Sequence, residues 1–373
     1  MAIRWQSGSR AGFRSISASI LALAAVVWMG VYEASGQTLK ELVEGAKKEG
    51  TLRGQWSENT FGGSAGMAEA VAGMNKKYGL NLKAQFTPGP DMQRLMLRVV
   101  QEAEAGQPAS TDVYVGNSQA MLDATKSKVL KPIEWGKILE RKLSPEGNFQ
   151  PIAPDNSYLT FATTVVGIQY NSNLVKGADI PRKLEDVLNP KWKGKIAATP
   201  YAAGLREFSM PDLLGREYML EFTKKLSKQI AGLIRCGEAE RITSGEFLML
   251  VMTCGGNDSI VLQRSGAPIG HTVLQEGTVL HMRYTGVPKN SRSPNAAALF
   301  AAFLHTPEGQ ALLWKHDGMD LHLYPDSHMK KEVEKVRSAG GKVIVSSPQW
   351  LSSLKGYQEM QKELEKILRE GAP

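Results

Sequence analysis

Two long extended runs constrain this chain more than any other feature. "YLTFATTVVGIQYNSNLV" (Tyr158 to Val175) and "TVLHMRYTGVP" (Thr278 to Pro288) are rich in β-branched and aromatic residues, and neither contains a helical period. Elsewhere helix and strand patterns alternate. A helix in "TLKELVEGAKKEG" with Thr38 as cap leads to a strand at Thr51 to Trp56. A helix in "MAEAVAGMNKKYG" leads to "LNLKAQF", and "DMQRLMLRVVQEAEAG" leads to "TDVYVG". Such alternation predicts a mostly parallel, doubly wound sheet. The two runs bracket a further α/β segment, so they read as crossings between two lobes. At 373 residues the chain is long enough to divide in this way. The expected fold class is α/β, two doubly wound lobes joined by two β crossings. Lobe 1 would be discontinuous, residues 37–167 plus 276–373, and lobe 2, residues 168–275, would be inserted into it.

Residues 1–36 read as a signal peptide. Arg4, Arg10 and Arg14 precede an apolar stretch of 16 residues, Ile16 to Val31, shorter than the ~20 that span a bilayer. "ASG" (Ala34 to Gly36) offers small residues before a cut at Gln37. An uncleaved anchor is the alternative. Removing three Arg and one Glu takes the net charge from +8 to +6. That excess is scattered, with no basic stripe carrying interleaved aromatics, so nucleic acid is not an expected partner. In an exported protein the two cysteines, Cys236 and Cys254, suit a disulfide, worth about 3 kcal/mol for a loop of this size; two buried thiols are the alternative.

Catalytic and metal motifs are weak. "GGSAG" (Gly62 to Gly66) fits the nucleophile-elbow pattern around Ser64, between a strand and a helix, but stands too early in the chain for a hydrolase sheet; a glycine-rich helix start is the plainer reading. All six histidines follow residue 270, and "HDGMDLHLYPDSH" (His316 to His328) matches no zinc spacing. No cofactor motif is present. Ligands in doubly wound sheets sit beyond strand carboxyl ends. Those ends are "WSENT", "FTPG", "GNSQ" and "TPYAAG", where Ser118 and Thr199 are candidate helix caps.

An ordered set of phrases adds to this. "ELVEGAKKEGTL" (41–52), "GIQYNSNLV" (167–175), "PRKLEDVLNPKWKGKIA" (181–197), "SGAPIGHTVLQEGTV" (265–279) and "VPKNSRSPNAAALFAAFLHTPEGQALL" (287–313) resemble the extracellular solute-binding proteins of ABC importers. The likeness is to the ferric-iron-binding branch with the type 2 periplasmic binding protein fold. It implies a ligand held between two closing lobes, a periplasmic location, an inner-membrane permease as partner, a monomer and no catalysis. Ferric members hold metal with adjacent tyrosines near the second crossing. This chain has no Tyr-Tyr and carries "TCGGND" there.

The expected solute is therefore small and organic, with an anion among the options. Candidate ligand-binding residues are Trp56, Ser57, Glu58, Asn117, Ser118, Thr199, Tyr201, Arg206, Gly255, Gly256, Asn257, Asp258 and Tyr284. Ser118, Thr199 and Arg206 would meet an anion. Trp56, Tyr201 and Tyr284 would stack on a ring or lie in the core, and Gly255 and Gly256 would let backbone approach a ligand. Neither a cofactor nor a metal is expected. A ferric carrier, with Tyr201 or Tyr284 as lone ligand, and a serine hydrolase on Ser64 stand as alternatives.

Overall fold

The computed structural model describes residues 37–372, so the expected signal peptide lies outside the described residues. α1 (Leu39–Glu49) starts as its sequence predicts. Thr38 Oγ1 accepts the Glu41 amide at 3.3 Å while the Glu41 carboxylate accepts the Thr38 amide at 2.7 Å, satisfying two end donors reciprocally. β1 (Thr51–Trp56), α2 (Gly63–Tyr78), β2 (Lys83–Pro88), α3 (Met92–Glu104), β3 (Tyr114–Gly116), α4 (Ser118–Ser127) and the short α5 (Trp135–Ile138) follow. β1 pairs with β2 in parallel, and Gly54 bridges Val113 in parallel just ahead of β3.

The first extended run forms β4 (Tyr158–Val165) and β5 (Ile168–Asn171). Then come β6 (Ile196–Ala198), α6 (Leu205–Phe208), α7 (Arg216–Ser227), β7 (Gly232–Leu233), α8 (Glu240–Thr243), β8 (Met249–Val251), α9 (Asn257–Arg264) and β9 (Ile269–Thr272). These strands make one sheet in the order β7-β6-β8-β5-β9. β6 runs parallel to β7 and β8, and β5 runs antiparallel to β8 and β9.

The second run is β10 (Gly277–Gly286), followed by α10 (Pro294–Leu304), α11 (Pro307–Asp317), α12 (His328–Ser338), β11 (Lys342–Ser346), α13 (Pro348–Ser353) and α14 (Tyr357–Gly371). β10 is the hub of the other sheet: β3 and β4 lie antiparallel to its later half, and β11 runs parallel to its first five residues. α10 is apolar all round because every residue from Ala296 to Leu304 is buried in the core beneath β1.

The two runs meet between the sheets. Val166, in the gap between β4 and β5, donates its amide to the Val279 carbonyl at 3.0 Å, and the Thr278 hydroxyl donates to the Val166 carbonyl at 2.8 Å. β4 pairs with β10, whereas β5 pairs with β9, so the first run changes sheet at this point, and the chain returns between β9 and β10. A third passage was not read from the sequence. Residues 276–373 were expected to stay with the first lobe, yet α14 packs on α7. Its Tyr357, Met360, Leu364 and Leu368 join the core that holds Met219, Phe222 and Leu226. These four recur at helical spacing as one apolar stripe, and which surface receives it depends on where β11 and α13 deliver the chain.

Candidate functional site

A cavity of about 400 Å³ lies between the two sheets. Its first wall carries Met92 and Gln93, the opening residues of α3, and Asn117, Ser118 and Gln119 at the start of α4. Its second wall carries Tyr201, Arg206 and Glu207 after β6, Cys254 after β8, and Tyr357, Gln358 and Gln361 on α14. β10 runs along the floor with His281, Met282 and Arg283. Helix N-termini present unpaired amides and the positive end of the helix dipole. Three helices of ten residues or more open here, and Gly356, ahead of α14, has no side chain to cap its amides.

Some expected residues line this cavity. Asn117 caps α4 by accepting the Ala120 amide at 3.0 Å; Ser118 is the first helical residue instead, and its hydroxyl donates to the Ser346 carbonyl. Thr199 does not cap a helix as expected: α6 has Gly204 at its cap with no side-chain bond, and Thr199 accepts the Ala203 amide at 2.8 Å in the turn before it, buried beneath the wall. The Tyr201 phenol accepts the Cys236 amide at 2.8 Å, and burial raises its pKa. Cys236 and Cys254 form a disulfide with a Cα separation of 6.0 Å, joining the loops after β7 and β8.

Other residues lie elsewhere. Trp56 is 1% exposed and packs against Phe61, Phe86 and Phe300, and Tyr284 is 0% exposed with its ring edge on Tyr158, so neither offers a stacking face. Ser57 is half-buried and does not border the cavity. Gly255 and Gly256 are needed for packing. A Cβ on Gly255 would lie 2.5 Å from Thr164 Oγ1, and one on Gly256 would lie 2.6 Å from the His271 ring. Ser64 is exposed, and its amide donates to the Glu58 carboxylate at 3.3 Å; among the described residues its hydroxyl meets no histidine.

The strongest electrostatic features went unread in the sequence. Glu207 is 1% exposed and accepts from Arg206 Nε at 2.9 Å and the Tyr357 hydroxyl at 3.0 Å, with His281 Nε2 at 3.5 Å. Burial works to raise this carboxyl, but Arg206 and His281 outweigh it and hold it below the ordinary carboxylate range. Arg206 also donates to Gln361 at 2.9 Å, so its charge is already answered. Arg283 differs. Among the described residues its guanidinium makes no hydrogen bond and no ion pair, and its Nε is buried without a partner. Burial lowers its pKa against the opposing pull of Asp317 and Asp258.

Those two carboxylates border a second cavity of about 290 Å³, together with Glu58, Asn59 and His316. Asn257 stands beside it, its Oδ1 accepting the Thr164 hydroxyl at 3.1 Å. Among the described residues no three His, Cys, Asp or Glu side chains are grouped to hold a metal ion.

Two α/β sheets joined by paired strands flank a polar cleft. The family described as bacterial extracellular solute-binding protein matches residues 110–340. The chain belongs to that family. It is 26% identical over 159 residues to the Fe(3+)-binding periplasmic protein of Serratia marcescens, covering 42% of this chain and 44% of that one. The chain spans less than half the length of the curated relatives it matches. An ABC transporter substrate-binding protein from Bradyrhizobium japonicum shares the fold with a TM-score of 0.67 at 16% identity, over 85% of this chain and 99% of that one. A periplasmic thiamin binding protein does so with a TM-score of 0.62 at 15% identity, over 85% and 96%.

Proposed function

We propose that this protein captures a small organic anion in the cleft between its lobes and presents it to an inner-membrane permease. The observation that carries this is Arg283, a largely buried guanidinium with no partner on the floor of a 400 Å³ cavity. Arg206 and Glu207 cancel each other, so Arg283 supplies the excess positive charge, and the start of α14, which no side chain caps, adds oriented amides. The amide side chains of Gln93, Asn117, Gln119, Gln358 and Gln361 suit the polar remainder of an organic solute.

The moving bodies in this reading are residues 37–167 with 276–356, and 168–275 with 357–371, turning about Val166 and Val279. The mature chain works as a monomer in the periplasm after removal of residues 1–36. It leaves its cargo chemically unchanged. Ferric carriage has less support: the Tyr201 phenol is engaged with the Cys236 amide, and Tyr284 is core.

A thermal-shift screen with organic acids, phosphonates, amino acids, polyamines, sugars and ferric citrate tests the proposal. A ligand at 100 times its Kd stabilises by about 2.7 kcal/mol, a rise of several degrees. Organic anions should give that rise in the native chain and not in Arg283→Gln. Stabilisation by polyamines or neutral sugars alone would overturn the reading, and a visible charge-transfer band with iron would restore the ferric one.

A further inference from the structure

Asp258 and Asp317 reach the smaller cavity from opposite lobes. Asp258 is the second residue of α9, beside the five-stranded sheet, and Asp317 ends α11, which packs on α2 and α10. Asn257 Nδ2 donates to Asp258 Oδ1 at 3.2 Å and to Asp317 Oδ1 at 3.3 Å. The two carboxylate oxygens therefore lie within about 6.5 Å of each other, the sum of those bonds. The amide cannot turn away, because its Oδ1 is held by the Thr164 hydroxyl at 3.1 Å. Asp317 is also fixed by the Phe61 amide at 3.0 Å and is 6% exposed. α9 and α11 are in direct contact here, with Arg264 donating to the Trp314 carbonyl at 2.6 Å.

Few charges face the pair. Arg283 on β10 acts on both carboxylates without an ion pair to either. Glu58, from the loop after β1, adds negative charge to the same cavity. His316 on α11 is bound to Glu69 at 2.6 Å, and Lys315 to the same carboxylate at 2.7 Å. Arg264 on α9 is turned onto the Trp314 ring. Two carboxylates converging on one amide in a buried contact repel each other when both are ionised.

We propose that Asp258 and Asp317 form a proton-dependent latch: one proton on the pair holds α9 against α11, and its loss releases the lobes. The latch rests on the reading of the cleft as an anion site for its coupling to cargo. An anion at Arg283 diverts the one positive charge facing the pair, so capture raises the demand for the proton and takes one up from solvent. Burial supports this. It pushes the Asp317 carboxyl up to about 7 and raises Asp258, against the opposing pull of Arg283 on both. A raised carboxyl favours the state that holds the proton, so the latched form prevails in acid and is lost as pH rises toward 7.

Small-angle X-ray scattering of the unliganded mature chain between pH 5 and 9 tests the latch. The radius of gyration should rise with pH in one step with a midpoint near 7. Asp317→Asn should remove the step and stay compact throughout, and Asp258→Asn serves the same purpose if that variant does not fold. Arg283→Gln should move the midpoint up by about one pH unit or more. Scattering that ignores pH, or the same step in both Asn variants, would overturn the latch. No ligand is present, so that failure leaves the anion reading standing. A screen in which no anion stabilises the protein would sink the anion reading and leave the pH step in place.

Discussion

The larger cavity collects helix N-termini, amide side chains and a self-cancelling ion pair, whereas the smaller one collects three carboxylates from both lobes. Arg283 borders the first and acts on the acids of the second. In the larger cavity every charge but one is answered within the protein, and in the proposed reading the unanswered one selects the cargo. In the smaller cavity the like charges are answered by a shared amide and by burial, an arrangement sensitive to protons. The contrast teaches that lining a cleft with polar residues does not by itself make a binding surface. What matters is which groups retain an unmet partner.

Four substitutions break or sharpen this comparison. Glu207→Ala should cost the most, about 3–5 kcal/mol in urea unfolding, because it leaves Arg206 and His281 without their buried partner. A loss below 1 kcal/mol would mean that the ion pair is not the closed unit described. Arg283→Gln should weaken the stabilising anion by about 2–5 kcal/mol in calorimetry, 30-fold or more, while leaving the fold intact. Equal affinity in native and variant chains would move the anion to another wall.

Cys236→Ser with Cys254→Ser should lower stability by about 3 kcal/mol, the expectation for a loop of this length. The bond also ties the rims of both cavities, since Cys254 borders the larger and Gly237 the smaller. Anion affinity should therefore fall alongside stability, and unchanged affinity would show that the clamp is structural only. Asp317→Asn should give the smallest effect and the clearest sign. The native carboxyl titrates near 7 against about 3.9 in an unfolded chain, so the folded state binds more protons between those values and stability falls as pH rises from about 4 to about 7. The variant should lose that slope and melt a few degrees higher at pH 8. A native melting temperature that is flat across the window would place the proton elsewhere.

Local order was legible in the residues. The Thr38 and Thr306 caps, the strand ends after β1, β3 and β6, and the two extended crossings follow from short-range chemistry that a few neighbours decide. Asn117 took the capping role from Ser118 because either residue suits that position, and the choice turns on a single residue of helix phase. Trp56 and Tyr284 stand at strand positions where cleft and core share the same pattern. Gly255 and Gly256 carry no mark that distinguishes a ligand's approach from that of Thr164 and His271.

By itself the sequence determined the order of elements, the two-sheet design and the family, because periodicity, caps and phrase order are properties of neighbouring residues. Tertiary structure alone decided that α14 docks on α7, that Arg206 is silenced by Glu207 and Gln361, and that Arg283 is left unanswered. Arg283 lies inside a β run whose composition says nothing of its partners, and Asp317 meets Asn257 across 60 residues of chain. Whether a charge is free depends on the distances to every other charge, and those distances exist only once the chain has closed on itself.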